Sequence, residues 1–414
     1  MMMVYFFSFA LIFLFLVVNV SQYINISKSR RFIKKEMQVA LTGERRNRLI
    51  VLIPVMDEHK IINETITYFN RILSSHPDSL LVFVTTQKEG CAEKNKTYQK
   101  ILPYLSEKTL IIHYPFLSGN KAHQLNYAVE LLGRMQKMDG GPTYYGVFDA
   151  DSRPDPRGLD YVAQSLEEEK VYQMPPVYST NFDELSLFGK ASAIFQTRWM
   201  MSYELPTLLK NHQMQKATHL SYCIGHGLFI RQQYFEENLF PVETVTEDLL
   251  FGYRAVMHSV YAKPVPYFDY CSSVSRFSAG VRQSARWHAG DLSSLMLLMG
   301  EKSNGSANRY RCLKMKRMFT MLQWPLGPVF TIAVLCVLFA LQCWPGVIAM
   351  LILIGSYVFL LHSPVIQYFF PRRGGLLSLY GALLVKSAAN CLGALYSYFL
   401  RLNPKVDLWF KTPR

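Results

Sequence analysis

Three short clusters of side chains in this chain have the types and the spacing to do chemistry. The first is Asp149-Ala150-Asp151, which follows an apolar run at 144–148. In extended backbone, alternate side chains share a face. Two carboxylates two residues apart can then grip one hard cation, and Mg2+ or Mn2+ favours such oxygen ligands together with phosphate oxygens. A solvated loop accommodates the same two residues. The second cluster is Thr246-Glu247-Asp248, ahead of Leu249-Leu250. A carboxylate fixed at a helix start can serve as a general base. A purely structural reading is also open, with Thr246 as the helix cap and the acids favoured by the helix dipole. The third is Gln283-Ser284-Ala285-Arg286-Trp287. On a helix, positions 283, 286 and 287 share a face. An amide, a guanidinium and an indole there can bind a diphosphate and stack on a sugar ring. An amphipathic helix on a membrane surface has the same appearance, because Trp and Arg favour interfaces.

These clusters need elements to position them, and the chain between 49 and 148 supplies a regular alternation. Continuous apolar runs at 49–55, 80–86, 109–113 and 144–148 predict buried strands. Helical patterns at 60–75, 92–105 and 119–137 lie between them. Strands alternating with helices imply an α/β fold, a mostly parallel sheet with helices on both faces. Ligands of such sheets bind beyond the carboxyl ends of the strands, which is where Asp149 and Asp151 fall. Gly225-His226-Gly227 reads as part of an apolar strand before Arg231. A histidine there either approaches the acceptor or the metal, or is a satisfied structural residue. The aromatic and Met run at 195–203 predicts a packed helix or a membrane-surface contact.

The ends of the chain differ from the body. Half of the 414 residues are hydrophobic and only 18% are charged, against about 25% in soluble domains. That excludes disorder and points to membrane segments. Residues 3–20 carry no charge and are long enough to cross a bilayer. Lys28, Arg30, Arg31, Lys34 and Lys35 follow them. A cleaved signal would carry its positive charge in front, so an uncleaved anchor is expected. Two further spans are predicted at 319–342 and 345–361, joined at Cys343-Trp344-Pro345, with a third stretch at 376–400 interrupted by Lys386 and Asn390. If that stretch crosses, the basic end (Arg401, Lys405, Lys411, Arg414) lies outside, against the charge rule; if it lies in the interface, that end stays inside.

Net charge is +14 overall, yet residues 49–301 hold 23 basic and 27 acidic side chains. The positive excess therefore flanks the apolar stretches, as in the positive-inside pattern, where it also attracts anionic lipid. An acidic body excludes a nucleic-acid footprint. None of the seven cysteines forms a CxxC pair, so reduced thiols in a cytosolic body are expected. The division follows: an anchor at 1–27, a cytosolic body at 28–301 with an interfacial helix near 280–300, and a membrane region at 302–414 with two or three spans. The expected setting is the plasma membrane.

Taken together, in this order and at these separations, the three clusters resemble the boxes of the membrane-bound family 2 glycosyltransferases, the group of the cellulose, chitin and hyaluronan synthases. Asp149-Ala150-Asp151 matches the strand-end DxD, Thr246-Glu247-Asp248 the TED, and Gln283–Trp287 the QxxRW box. Ile53-Pro54-Val55-Met56-Asp57-Glu58 looks like the family's first strand, and Gly119–Asn126 like its Lys-Ala-x-x-Leu-Asn segment. The resemblance spans about residues 45–300. It implies a GT-A fold and an inverting transfer from a nucleotide-diphospho-sugar, a UDP-sugar by analogy, to a carbohydrate or glycolipid hydroxyl. It further implies Mg2+ or Mn2+ at Asp149 and Asp151, donor contacts from Glu58, Lys121, Asp149, Gln283 and Arg286, Asp248 as base, and acceptor contacts from Glu247 and Trp287. The QxxRW box implies a β-linked oligo- or polysaccharide. Single addition to a lipid acceptor is the alternative, and a scaffold without catalysis a third reading. One departure stands out: relatives end the second strand with acids that read the base, whereas here it ends Val84-Thr85-Thr86-Gln87. Either Thr85 takes that place or the base is recognised differently.

Overall fold

The computed structural model describes residues 2–39, 41, 43–44, 46–135, 141–302, 306–371 and 376–402. Arg372, Arg373, Lys405, Lys411 and Arg414, and the expected helix end at 136–137, lie outside the described residues. The chain begins with helix α1 (Met2–Glu36). It then alternates through β1 (Arg48–Pro54), α2 (Ile62–Leu73), β2 (Leu80–Thr86), α3 (Lys96–Ile101), β3 (Thr109–Tyr114), α4 (Lys121–Met135) and β4 (Thr143–Val147). Next come β5 (Arg153–Pro154), α5 (Pro156–Ala163), β6 (Val171–Gln173), β7 (Pro176–Tyr178), α6 (Leu187–Trp199) and α7 (Leu205–Met214). The second half of the body holds β8 (Leu228–Arg231), α8 (Gln232–Glu237), α9 (Glu247–Met257), β9 (Lys263–Pro264), β10 (Asp269–Cys271) and α10 (Phe277–Met299). Helices α11 (Ala307–Ala340), α12 (Trp344–Phe369) and α13 (Leu376–Leu402) close the chain.

Seven strands form one sheet in the order β3-β2-β1-β4-β8-β6-β9. The four strands expected from apolar runs pair in parallel at its centre and edge, while β8 runs antiparallel to β4 and β6. Alternation along β1 explains the two cores. Ile50 and Leu52 face α4 with Val82, Leu125 and Leu132, whereas Leu49, Val51 and Ile53 face α2 and α5 with Ile66, Phe69 and Leu159; all are at most 1% exposed. The α/β architecture with helices on both faces is therefore as expected. The helix expected at 92–105 is shorter: α3 covers Lys96–Ile101, and Pro103 lies in the 3-10 turn that follows.

Among the described residues, four helices are long and apolar enough to cross a membrane, at Phe9–Glu36, Ala307–Ala340, Trp344–Phe369 and Leu377–Leu400. The first does not end with its apolar stretch; α1 runs on through the basic cluster, and its Ser29 Oγ donates to Met201 O at 2.8 Å. At the far end, α13 lies along α10. Ser284 Oγ donates to Asn390 Oδ1 at 2.6 Å, and His288 Nδ1 lies 2.8 Å from Ser397 Oγ. The two backbones approach so closely that a Cβ at Gly393 would stand 2.6 Å from Val281 O and Ser284 Cβ. Small residues at such crossings let membrane helices pack tightly.

Candidate active site

The segment before α4 shows how local sequence places a side chain. Gly119 adopts a φ of +108°, in the left-handed region that favours glycine, and a Cβ there would meet Tyr114 Oη at 2.8 Å. The chain turns, and Asn120 Oδ1 caps the new helix by accepting from His123 N at 3.1 Å. Lys121 is then the first helical residue. Its Nζ donates to Asp149 Oδ1 and to Gly225 O, both at 2.7 Å.

Asp149 and Asp151 lie just beyond β4, on a turn closed by Ser152 N donating to Asp149 O at 3.0 Å. The extended geometry expected for them is replaced by this turn, since Val147 is the last residue of the strand. Both carboxylates nevertheless line one cavity of ≈ 420 Å3. Asp151 is 7% exposed, and its Oδ2 accepts from Ser272 N at 3.1 Å.

Glu247 and Asp248 open α9. Thr246 precedes them, but its side chain does not cap the helix. Its hydroxyl lies instead against α10, where a Cβ at Gly290 would come within 2.4 Å of it. Opposite α9, a Cβ at Gly252 would stand 2.2 Å from Cys223 N, so the 222–225 backbone is pressed onto the helix. That contact brings Gly225 to Asp248: a methyl at 225 would meet Asp248 Oδ2 at 2.9 Å and Lys121 Nζ at 3.3 Å. Burial raises the Asp248 carboxyl, with Lys121 opposing. Burial and the Asp248 charge push Glu247 up to about 7. Burial by itself would depress the Lys121 ammonium, yet Asp149, Glu247 and Asp248 together hold it above its ordinary value.

Gln283, Arg286 and Trp287 on α10 line the same cavity, as does Glu58 beyond β1. All nine residues singled out by sequence thus converge on one space. Thr85 does not line it; its hydroxyl lies 2.9 Å from His113 Nδ1, and Thr86 and Lys88 face the cavity in its place. Gly225–Gly227 form the loop before β8, not a strand. His226 Nδ1 lies 2.8 Å from Asp269 Oδ2, which also accepts from Ser152 Oγ at 2.8 Å. Ligand atoms of His226, Asp269 and Cys271 fall within 4.8 Å of one another. Asp149 and Asp151 put two carboxylates on the wall of one cavity, the hard oxygen donors that Mn2+ or Mg2+ favours, and His226 lines the same cavity.

Sequence reasoning missed part of the wall. Trp199 and Glu204, from the aromatic run, face the cavity together with Tyr222. Tyr222 Oη donates to Glu204 Oε1 at 2.7 Å and accepts from Trp199 Nε1 at 3.0 Å. Burial pushes the Glu204 carboxyl up to about 7. Membrane helices contribute as well: Arg317 and Trp324 from α11, Lys386 and Asn390 from α13. Arg317 pairs with Asp291 of α10, and its Nη1 donates to Tyr203 Oη at 2.9 Å. The only advance signals were the acid within an aromatic run at 204 and the charge within an apolar stretch at 386.

Comparison with known proteins follows the same lines. The chain covers 99% of the mannosyltransferase PcManGT from Pyrobaculum calidifontis, solved in complex with GDP-Man and Mn2+, over 95% of its own length, with a TM-score of 0.52 and 11% identity. It also aligns with S. aureus TarS at 14% identity and a TM-score of 0.37, over 85% of this chain and 55% of that one. The likeness to the mannosyltransferase is one of fold. Among curated proteins, none matches significantly by sequence. The family model described as glycosyl transferase family group 2 matches residues 147–363, just over half of the chain and inclusive of all three clusters. The chain belongs to that family, and it is a glycosyltransferase.

Proposed function

We propose that this protein moves a sugar from a nucleotide-diphospho-sugar to an acceptor hydroxyl, with inversion, at the face where its body meets the membrane helices. The observation that carries this reading is the junction of Asp149, Lys121, Gly225 and Asp248, which sets two acidic segments on opposite sides of one ammonium. The GDP-Man bound in the Pyrobaculum mannosyltransferase supports a nucleoside-diphosphate donor. In this reading residues 1–27 anchor the chain, 28–301 form a cytosolic catalytic body, and 302–414 form its membrane region in the plasma membrane.

Asp248 takes the acceptor hydroxyl proton as that oxygen attacks the anomeric carbon. The bond from that carbon to the diphosphate breaks, and the nucleoside diphosphate leaves with the electron pair. A raised pKa makes Asp248 a stronger base than an ordinary carboxylate, and its Oδ1 is oriented by Leu249 N at 2.8 Å. Arg286 and the Gln283 amide donate to the departing diphosphate, a preorganised electrostatic role. Glu58 and Lys121 complete the donor side, Lys121 by fixing Asp149. Held by Asp149 and Asp151, Mg2+ or Mn2+ would neutralise diphosphate charge. Trp287 gives the acceptor a flat platform, and Glu247 holds an acceptor hydroxyl. A lipid acceptor is favoured over a chain threaded through the helices by one feature. Helices α1, α11 and α12 meet through the apolar side chains of Leu11, Ile12, Phe15, Val334, Leu338 and Met350, whereas a threaded sugar chain calls for polar walls.

Three measurements follow. Asp248→Asn lowers turnover by about 10²–10⁴-fold while nucleotide binding by titration calorimetry stays within a few-fold. Trp287→Ala impairs acceptor use first. Lost nucleotide binding with retained turnover in Asp248→Asn contradicts the assignment. Because burial holds the Asp248 carboxyl above the ordinary carboxylate value of about 4, activity falls on acidification with a midpoint above that value. The sign follows from a base that must be unprotonated, and an acid limb at about 4 would exclude Asp248 from the role. Excess chelator abolishes transfer, and undiminished transfer in its presence removes the cation.

A further inference from the structure

Lys386 is a lysine in the middle of an apolar span. It is fully buried, and among the described residues its ammonium donates no hydrogen bond and joins no ion pair. Its surroundings are the Phe188 ring, 5.8 Å away, and the backbone of α10, where a Cβ at Gly280 would lie 3.8 Å from Nζ. A cation placed so deep, with no counter-charge, marks a functional position in membrane helices. Lys386 and Asn390 are one helical turn apart, and both line the same cavity as Gln283, which lies three residues after Gly280 on α10. Asn390 is already engaged by Ser284. Gln283 Oε1, by contrast, is buried and accepts no hydrogen bond from the described residues.

The cavity therefore presents two unmet demands near one another, an ammonium that lacks an anion and an amide oxygen that lacks a donor. The acids of the site do not meet the first, since Asp149 pairs with Lys121, which Glu247 and Asp248 also face. A phosphate group next to a hydroxyl meets both. We propose that Lys386 and Gln283 form a subsite for the phosphate of a lipid-borne acceptor, with Gln283 receiving the acceptor's hydroxyl. This rests on the glycosyl transfer proposed above and specifies its acceptor class. The source is the lipid and not the donor because Lys386 stands on α13, a candidate membrane span, whereas Glu58, Lys121, Asp149 and Asp151 lie at the ends of β1 and β4 and the start of α4; Gln283 on α10 is shared, its amide nitrogen serving the donor diphosphate and its oxygen the acceptor. The four-carbon stem of lysine allows the ammonium to reach towards the incoming headgroup.

The test uses the full-length protein in phosphatidylcholine nanodiscs. Host membrane lipids are separated by anion exchange into a retained, phosphate-bearing fraction and a neutral glycolipid fraction, and each is offered as acceptor with labelled nucleotide sugars. The wild type transfers to the retained fraction. Lys386→Gln raises the KM for that fraction about 10–100-fold, as expected on losing a charged hydrogen bond, while titration of GDP and UDP with Mn2+ stays within about twofold. Lys386→Arg keeps most of the activity. Transfer by the wild type to the neutral fraction alone overturns the proposal even if no Lys386 variant folds. A loss of nucleotide affinity in Lys386→Gln with acceptor KM unchanged also overturns it, by assigning the ammonium to the donor. Absence of transfer to either fraction, with nucleotide still bound, contradicts the underlying glycosyl transfer instead.

Discussion

The site depends on the ammonium of Lys121. Asp149 after β4 and the Glu247-Asp248 pair at the start of α9 come from distant parts of the chain, and their charges repel across one cavity. Lys121 stands between them, bonded to Asp149 and to Gly225 O and within the field of both α9 acids. Removing Lys121 would leave the three carboxylates facing one another without their common cation. The glycine at 225 is part of the same constraint, because any side chain there would displace Asp248 from Lys121.

A second consequence is that the membrane helices are walls of the site, not mere anchors. One side of α10 gives Gln283, Arg286 and Trp287 to the cavity. Its other contacts run to α13 through Ser284 and His288, and to α11 through the buried pair Asp291–Arg317. Tyr203, Tyr222 and Tyr253 surround the Arg317 guanidinium at 5.0–5.9 Å from their ring centroids. A shift of either helix would therefore reach Gln283, Arg286 and Trp287, so the body and the membrane helices share one frame around the cavity.

Much of this was legible in the residues. Continuous apolar runs marked the central strands because a parallel sheet is buried on both faces. The three clusters were recognisable because their chemistry needs particular side chains at particular spacings. What escaped was set by tertiary contact. Thr246 has the type of a cap, but the close approach of α10 turns its hydroxyl elsewhere. Thr85 and Thr86 are equivalent in sequence, and only the pairing of Thr85 with His113 decides which faces the cavity. The aromatic run at 195–203 reads as packing in one dimension, although Phe195 and Trp199 face the cavity in three.

Direct displacement with Asp248 as the base has one stereochemical outcome. Proton NMR of the anomeric signal of the new glycosidic bond, formed from a donor of known configuration, tests it most directly. The account predicts a product of opposite anomeric configuration to the donor. Retention would require a second displacement at the anomeric carbon, and would contradict the single-base mechanism built on Asp248.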